Sequence, residues 1–216
     1  SLGLVGSEMC IRDRNKGDTV AFIGSTGSGK STLINLVPRF YDATGGEVLV
    51  DGVNVKDYSL EYLHNKLGYV PQKAVMFNGT VTSNIEYGDN GKQKPTIEQV
   101  KKAIEVAQGT EFVEKMDNSY NAHIAQGGTN ISGGQKQRLA IARAVARDPE
   151  IYIFDDSFSA LDFKTDSKLR EELAKQTAGK TVIIVAQRIS TILNADQIIV
   201  LELSLIHISE PTRPRL

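Results

Sequence analysis

The sequence predicts an α/β fold built on a mainly parallel sheet, and three observations predict it. The run Thr19-Val20-Ala21-Phe22-Ile23 is β-prone with no polar alternation, as a strand buried on both faces requires. It leads straight into a glycine-rich loop and then into Thr32 to Val37, whose helical spacing ends at Pro38. Further strand-length apolar runs, Ile151-Tyr152-Ile153-Phe154 and Thr181 to Ala186, alternate with helical stretches, which is the order of strand-helix-strand units.

Composition suits that class and narrows the function. The chain has 216 residues, 40% of them apolar and 24% charged, with 19 Gly and 6 Pro. That is enough for one domain with a full core, and it excludes disorder, collagen and coiled coil. With 25 Lys and Arg against 26 Asp and Glu the net charge is -1, so no global field draws the chain to nucleic acid or an anionic membrane. An anionic ligand must be held by a local arrangement. The single Cys10 leaves no intrachain disulfide, and a reducing compartment is expected. The apolar runs fall far below the roughly 18 residues of a membrane helix, so no bilayer crossing is expected.

Residues 1–14 and 203–216 are read as non-native tails. Leu4 to Asp13 can be encoded by CTC GTG GGC TCG GAG ATG TGT ATA AGA GAC. The reverse complement of that DNA, read from its second base, encodes Ser204 to Thr212 and the start of the codon for Arg213. One segment read on opposite strands therefore accounts for both ends, and it resembles a transposase-type sequencing-library adapter. Such remnants are set apart from fold reasoning, which leaves 15–202 as the native portion.

The glycine loop is the first functional feature. Gly24-Ser25-Thr26-Gly27-Ser28-Gly29-Lys30-Ser31 fits the pattern G-x-x-x-x-G-K-[ST] between a strand and a helix. Glycines Gly24, Gly27 and Gly29 let the backbone wrap a phosphate chain closely, so that N–H groups of the loop, including those of Thr26, Ser28 and Thr32, point at its oxygens. Lys30 offers a compact positive charge, Ser31 a hydroxyl for Mg²⁺, and the helix start a favourable dipole.

The remaining elements follow in order. Gly45 to Gly52 and Lys66 to Gln72 each look like a short strand beside a turn. From Thr96 to Met116 the residues Ile97, Val100, Ile104, Ala107, Phe112 and Val113 recur at helical spacing, and Ala140 to Val145 continues a second helix ended by Pro149. This helix-rich stretch, about 73–148, is an insertion between core strands. The strand Ile151 to Phe154 ends in the acidic pair Asp155-Asp156, where a second phosphate-site element is expected. A helix near Thr165 to Gln176, the strand Thr181 to Ala186 leading to Gln187, and the start of a strand at Ile198 to Leu201 complete the chain.

The residues after the helical insertion decide among phosphate-loop classes. Asn130-Ile131-Ser132-Gly133-Gly134-Gln135-Lys136-Gln137-Arg138 resembles the signature motif of ATP-binding cassette (ABC) ATPases. Support comes in order from Gln72 in the Q-loop-like Val70-Pro71-Gln72, from Asp155 ending a Walker B-like strand, from Ser159-Ala160-Leu161-Asp162 like a D-loop, and from Val185-Ala186-Gln187-Arg188 like a switch loop. Arg39 to Asp42, Thr80 to Ile85 and Gln126-Gly127-Gly128 look like the exporter branch. The resemblance implies a P-loop NTPase core with a mainly parallel sheet, an antiparallel β portion and an α-helical subdomain carrying the signature. It implies ATP bound by the glycine loop and Gln72, Mg²⁺ held by Ser31, Gln72 and Asp155, and Ser132 to Gln135 contacting the ATP of a second cassette packed head to tail, with D-loop residues Ser159 and Asp162 nearby. It further implies a transmembrane domain on the same native chain, a place at the cytoplasmic face of a membrane, and no nucleic-acid partner. The family's adenine-stacking aromatic and its last hairpin are expected to fall outside 15–202.

Two residues depart from the family pattern. Asp156 stands where efficient members carry Glu to polarise the attacking water, and Gln187 where they carry His. The carboxylate is one methylene short, and the amide can donate to a γ-phosphate without carrying charge. These catalytic positions therefore point to a slow or degenerate site in a subunit paired with a non-identical cassette. The alternatives are a non-hydrolytic regulatory cassette and a soluble ABC ATPase, the latter disfavoured by the lack of a coiled-coil insertion or basic tract. His64 and His123 are read as packing or surface residues, Lys164, Lys168 and Arg170 as a solvated helix face, and Phe22, Phe154 and Phe158 as core.

Overall fold

The computed structural model describes residues 2–5, 10–11, 17–187, 192, 194–202 and 205–209. They fall into two compact units, the first made of Ser1–Leu67, Glu150–Asp156 and Gly179–Leu216, the second of Gly68–Pro149 and Ser157–Ala178. The second unit contains the helix-rich stretch 73–148 and adds the segment after Asp156.

The first unit holds two sheets. In one, β3 (Thr19–Gly24) lies between β11 (Gln197–Glu202) and β10 (Thr181–Val185), and β9 (Ile151–Asp155) follows β10, all four parallel. Their burial explains their composition: Val20, Ala21 and Phe22 are buried, as are all five residues of β9, so both faces favour apolar side chains. Each large side chain fully buried there contributes about 1.5–3 kcal/mol. Ala21 and Ala186 pack with Ile192 and Ala195. The second sheet is antiparallel, in the order β2 (Cys10–Ile11), β1 (Leu2–Val5), β4 (Glu47–Val50), β5 (Val53–Asn54). Lys66, the last residue of α2 (Leu60–Lys66), bonds Asp51 at 3.1 Å and Glu150 at 3.0 Å. Burial opposes its charge, but the two carboxylates outweigh burial and hold its pKa above the ordinary lysine value.

Strand backbone therefore extends into both tails. Leu2–Val5 pairs with Glu47–Val50, and β12 (Leu205–Ser209) pairs antiparallel with β11. The hairpin expected to be missing after Glu202 is filled by Leu205–Ser209, because the alternation Leu-Ile-His-Ile-Ser is itself strand-prone.

The second unit begins with β6 (Leu67–Val70), the strand along which the chain leaves the first. Its spine is α6 (Gly133–Arg147), which buries Leu139, Ile141, Ala142 and Val145 against α3 (Val81–Ile85) and α4 (Ile97–Val106). The small sheet of β7 (Gly79–Thr80) and β8 (His123–Ile124) ties the chain before α3 to the chain that leads toward α6. The apolar stripe expected from Thr96 to Met116 forms two helices, α4 and α5 (Thr110–Glu114), because Gln108 takes φ 56° and Gly109 follows. The helix after the glycine loop is shorter than expected: α1 covers Lys30–Ile34 and turns carry the chain to Pro38. Finally α7 (Phe163–Gln176) starts at Asp162, whose side chain accepts from Thr165 N at 3.0 Å.

Candidate nucleotide-binding site

Register sets the first half of the site. Phe22 pairs with Val185 and Val185 with Asp155, so the carboxyl ends of β3, β10 and β9 stand in one row. The residues just beyond that row are the glycine loop, Gln187 and Asp156. A crevice outside the carboxyl ends of parallel strands is where open α/β sheets bind ligands.

The loop is shaped by its glycines at two points. A Cβ on Gly24 would stand 2.2 Å from Leu201 O, which no side chain tolerates. Gly29 caps α1 at φ 91°, a left-handed conformation that favours glycine. The Lys30 ammonium, buried in the loop, donates to the carbonyl oxygens of Gly24 and Ser25, both at 2.8 Å, and to Ser28 Oγ at 3.3 Å. The loop thus curls around its own cation, which places one full positive charge among the backbone N–H groups of a helix start. Ser31 Oγ donates to Asp155 Oδ1 at 2.9 Å, so two hard oxygen donors are gathered beside that charge.

Asp156 is buried, takes φ 46°, and donates its N–H to Val185 O at 3.0 Å. Asp is among the residues that tolerate this left-handed backbone. Gln187 Nε2 donates to Asp156 Oδ2 at 3.2 Å. The two departures from the family pattern are therefore bonded to each other. Arg188, the end of the switch-like motif, lies outside the described residues.

The second unit holds the other motifs. Gln72 lies exposed just beyond β6. Ser132 caps α6: its Oγ accepts from Gln135 N at 3.2 Å, and Gln135 Oε1 accepts from Ser132 N at 2.8 Å. This reciprocal box fixes the start of a fifteen-residue helix. It occupies an acceptor of the Ser132 hydroxyl and leaves its O–H as a donor. A Cβ on Gly133 would meet nothing within 4 Å, whereas one on Gly134 would lie 3.3 Å from Ala160 O. So the D-loop stretch Ser159 to Asp162 lies against the first turn of α6, and Gly133 keeps its outer side open. Hydrogen bonds from the Thr165 N–H and hydroxyl hold the Asp162 carboxyl below its usual pKa.

Other residues fall where packing puts them. His64 Nε2 bonds Pro38 O at 2.8 Å and meets Phe40 edge-on. His123 is exposed on β8. Among the described residues no group of three His, Cys, Asp or Glu gathers as a metal site. Phe22, Phe154 and Phe158 are buried, and Lys164 and Lys168 are exposed. Arg170 corrects the expectation of a solvated face: it turns back to the buried Asp166 at 2.9 Å, because a buried carboxylate needs a cation or donor. Sequence reasoning missed Arg143, which donates to Asn84 O at 2.7 Å and Val75 O at 3.1 Å. Its signal was a lone cation inside the apolar stretch Leu139 to Val145.

The model of the ABC transporter family matches residues 12–159. An uncharacterized ABC transporter ATP-binding protein of Mycobacterium bovis is 50% identical over 186 residues, 86% of this chain and 32% of that protein. The ATP-dependent lipid A-core flippase of Pasteurella multocida is 45% identical over 190 residues, 88% of this chain and 32% of that protein. A solved bacterial Atm1-family ABC exporter with ATP bound superposes with a TM-score of 0.85 at 32% identity, covering 97% of this chain and 38% of that one. The chain thus spans about a third of the length of these two relatives. No described helix is long and apolar enough to cross a membrane. With its α/β core, its glycine loop and its signature helix, the chain belongs to the ABC transporter family as an ATP-binding domain whose relatives are exporters.

Proposed function

We propose that residues 15–202 bind MgATP and hydrolyse it to power export, as the cassette of a transporter whose membrane domain precedes it on the native chain. The observation that carries this reading is the Lys30–Ser31–Asp155 arrangement behind the glycine loop. Lys30 would exchange loop carbonyls for phosphate oxygens, and the backbone N–H groups of Gly27 to Thr32 would take up the remaining charge. Ser31 and Asp155 are the hard oxygen donors that Mg²⁺ takes, and they would hold it. The ion when bound neutralises charge on the β- and γ-phosphates.

The same geometry supports slow turnover at this chain's own site. Aligning the attacking water is a large share of phosphoryl-transfer catalysis, and a displacement near 1 Å costs about a hundredfold. The Asp156 carboxylate is one methylene short and engaged by Gln187. The signature from Ser132 to Gln135 would act in trans, at the ATP of a second, non-identical cassette, on the cytoplasmic face of the membrane. Restoring Asp156→Glu and Gln187→His together is expected to raise single-turnover hydrolysis at this site about tenfold or more. An unchanged rate, with ATP bound, would sink the slow-site reading and favour two ordinary sites in a homodimer. The Gln187–Asp156 bond also favours a second reading, a regulatory cassette that binds ATP without hydrolysis; zero turnover even in the doubly restored chain would select it.

A further inference from the structure

The chain holds two Asn-Gly pairs, Asn78–Gly79 and Asn90–Gly91, both in the second unit and in different surroundings. In such a pair the backbone nitrogen after the asparagine reaches the side-chain carbonyl carbon most easily, because glycine has no Cβ to hinder it. Gly79 stands opposite Ile124 in the β7–β8 ladder, and the Asn78 N–H is held by Gln126 Oε1 at 3.1 Å. Asn90–Gly91 lies outside helices and strands, in the loop between α3 and α4, with Asp89, Gly91 and Lys92 exposed. Three hydrogen bonds converge there. The Gly91 N–H donates to Asp89 Oδ1 at 2.9 Å, the Lys92 N–H donates to Asn90 Oδ1 at 3.1 Å, and Asn90 Nδ2 donates to Arg147 O at 3.3 Å. Asn90 and Lys92 also border an open cavity of about 780 Å³, through which water reaches the amide.

We propose that Asn90 is a self-modifying site, at which Gly91 N attacks Asn90 Cγ and the side-chain amide becomes a carboxylate. Asp89 Oδ1 takes the proton that Gly91 N loses, the part of a general base. The Lys92 N–H, already on Asn90 Oδ1, stabilises the negative charge that develops on that oxygen. A bond forms between Gly91 N and Asn90 Cγ, the bond from Cγ to Nδ2 breaks, and Nδ2 leaves as ammonia with the proton returned from Asp89. One water then opens the five-membered imide. Opening at one carbonyl gives an aspartate; opening at the other gives an isoaspartate, whose backbone is longer by one methylene. Nothing is oxidised or reduced. The product carries one more negative charge and no longer donates to Arg147 O, the acceptor at the end of α6. At Asn78 the same attack requires Gly79 to leave its ladder first, and such local opening costs free energy.

The test is to incubate the purified chain in mildly alkaline buffer made with heavy-oxygen water, then digest it and weigh the peptides by mass spectrometry. Only acid formed during the incubation carries the label, so each asparagine reports its own rate. In the folded chain Asn90 is expected to convert at least about tenfold faster than Asn78. In guanidinium chloride, which removes the loop geometry, the two rates should agree within about threefold. Equal rates in the folded chain overturn the proposal, as does faster conversion of Asn90 in denaturant than in the folded state. Asp89→Ala, at an exposed position, separates the loop's chemistry from simple exposure. Conversion of Asn90 in the folded variant should fall about tenfold; a rate that does not fall means that exposure alone drives the reaction and overturns the role given to Asp89. Nucleotide enters neither readout, so this inference stands or falls apart from the ATP reading above.

Discussion

Two helix starts in this molecule are suited to phosphate, and they are built in opposite ways. α1 has five residues, a left-handed glycine cap and no side-chain cap bond. So short a helix offers little dipole beyond its first turn, and the cation Lys30 is buried within the loop instead. α6 has fifteen residues and a capping box, and neither of its first two residues carries a side chain. It offers N–H groups, dipole and a hydroxyl, and its first cation, Lys136, comes only at the fourth position, past the two glycines. A dipole end contributes about 0.3–1 kcal/mol, whereas a charge-assisted bond contributes about 1.5–3 kcal/mol. The first start is equipped to hold an anion by itself; the second is equipped to complete a site held elsewhere.

That contrast can be broken. Lys30→Met is expected to weaken ATP binding about 100-fold, about 2.7 kcal/mol, in a fluorescent-nucleotide titration. A loss below tenfold would mean that the loop N–H groups hold the anion and that the two starts differ less than their construction suggests. Gly133→Ala comes next. Its Cβ meets nothing, so the melting temperature should hold, while turnover at a partner cassette's site falls about tenfold as the methyl blocks the helix start. Unchanged turnover with a co-purified partner would remove α6 from any trans role. Ser132→Ala should lower stability by about 1 kcal/mol through loss of the cap, read as a shift in thermal midpoint. ATP affinity at this chain's own loop should stay as it was.

The smallest effect is a pH dependence that α6 and α7 do not share. The Asp162 cap of α7 has its carboxyl pKa depressed below 3.8 by hydrogen bonds from the Thr165 N–H and hydroxyl. Its contribution is fully present above that ordinary value and is lost as pH falls through the depressed one. Asp162→Asn keeps a cap that cannot titrate, so the acid limb of the melting curve should flatten below about pH 4. Ser132→Ala should leave that limb unchanged, since a serine cap carries no charge.

What was legible in the sequence was local. The loop from Gly24 to Ser31, the signature from Ser132 and the acidic end of β9 are contiguous patterns whose chemistry follows from residue type and order. The strands after Phe22 and before Gln187 were legible as apolar runs, and the register that aligns Phe22, Val185 and Asp155 was not, because pairing partners are set by tertiary packing. The break at Gln108 escaped because the apolar stripe continues across it into Phe112 and Val113. Arg143 and Arg170 were misjudged or missed for one reason: a cation reads as solvent-facing until the oxygens that receive it are placed beside it. The Gln187–Asp156 bond joins two motifs that sequence order keeps apart.

The bond from Ser31 to Asp155 spans 124 positions along the chain. Closing a loop of that length is paid for in entropy before any oxygen meets its partner, and parallel pairing of distant strands is slow to form. During synthesis, a chain that has not yet emerged past β9 has its glycine loop but not the second oxygen of the pair. On the proposed function, MgATP would therefore be a ligand of the completed fold and not of its precursors. By mass action it should stabilise only molecules that have finished folding, by about 2.7 kcal/mol at a hundredfold excess over its dissociation constant.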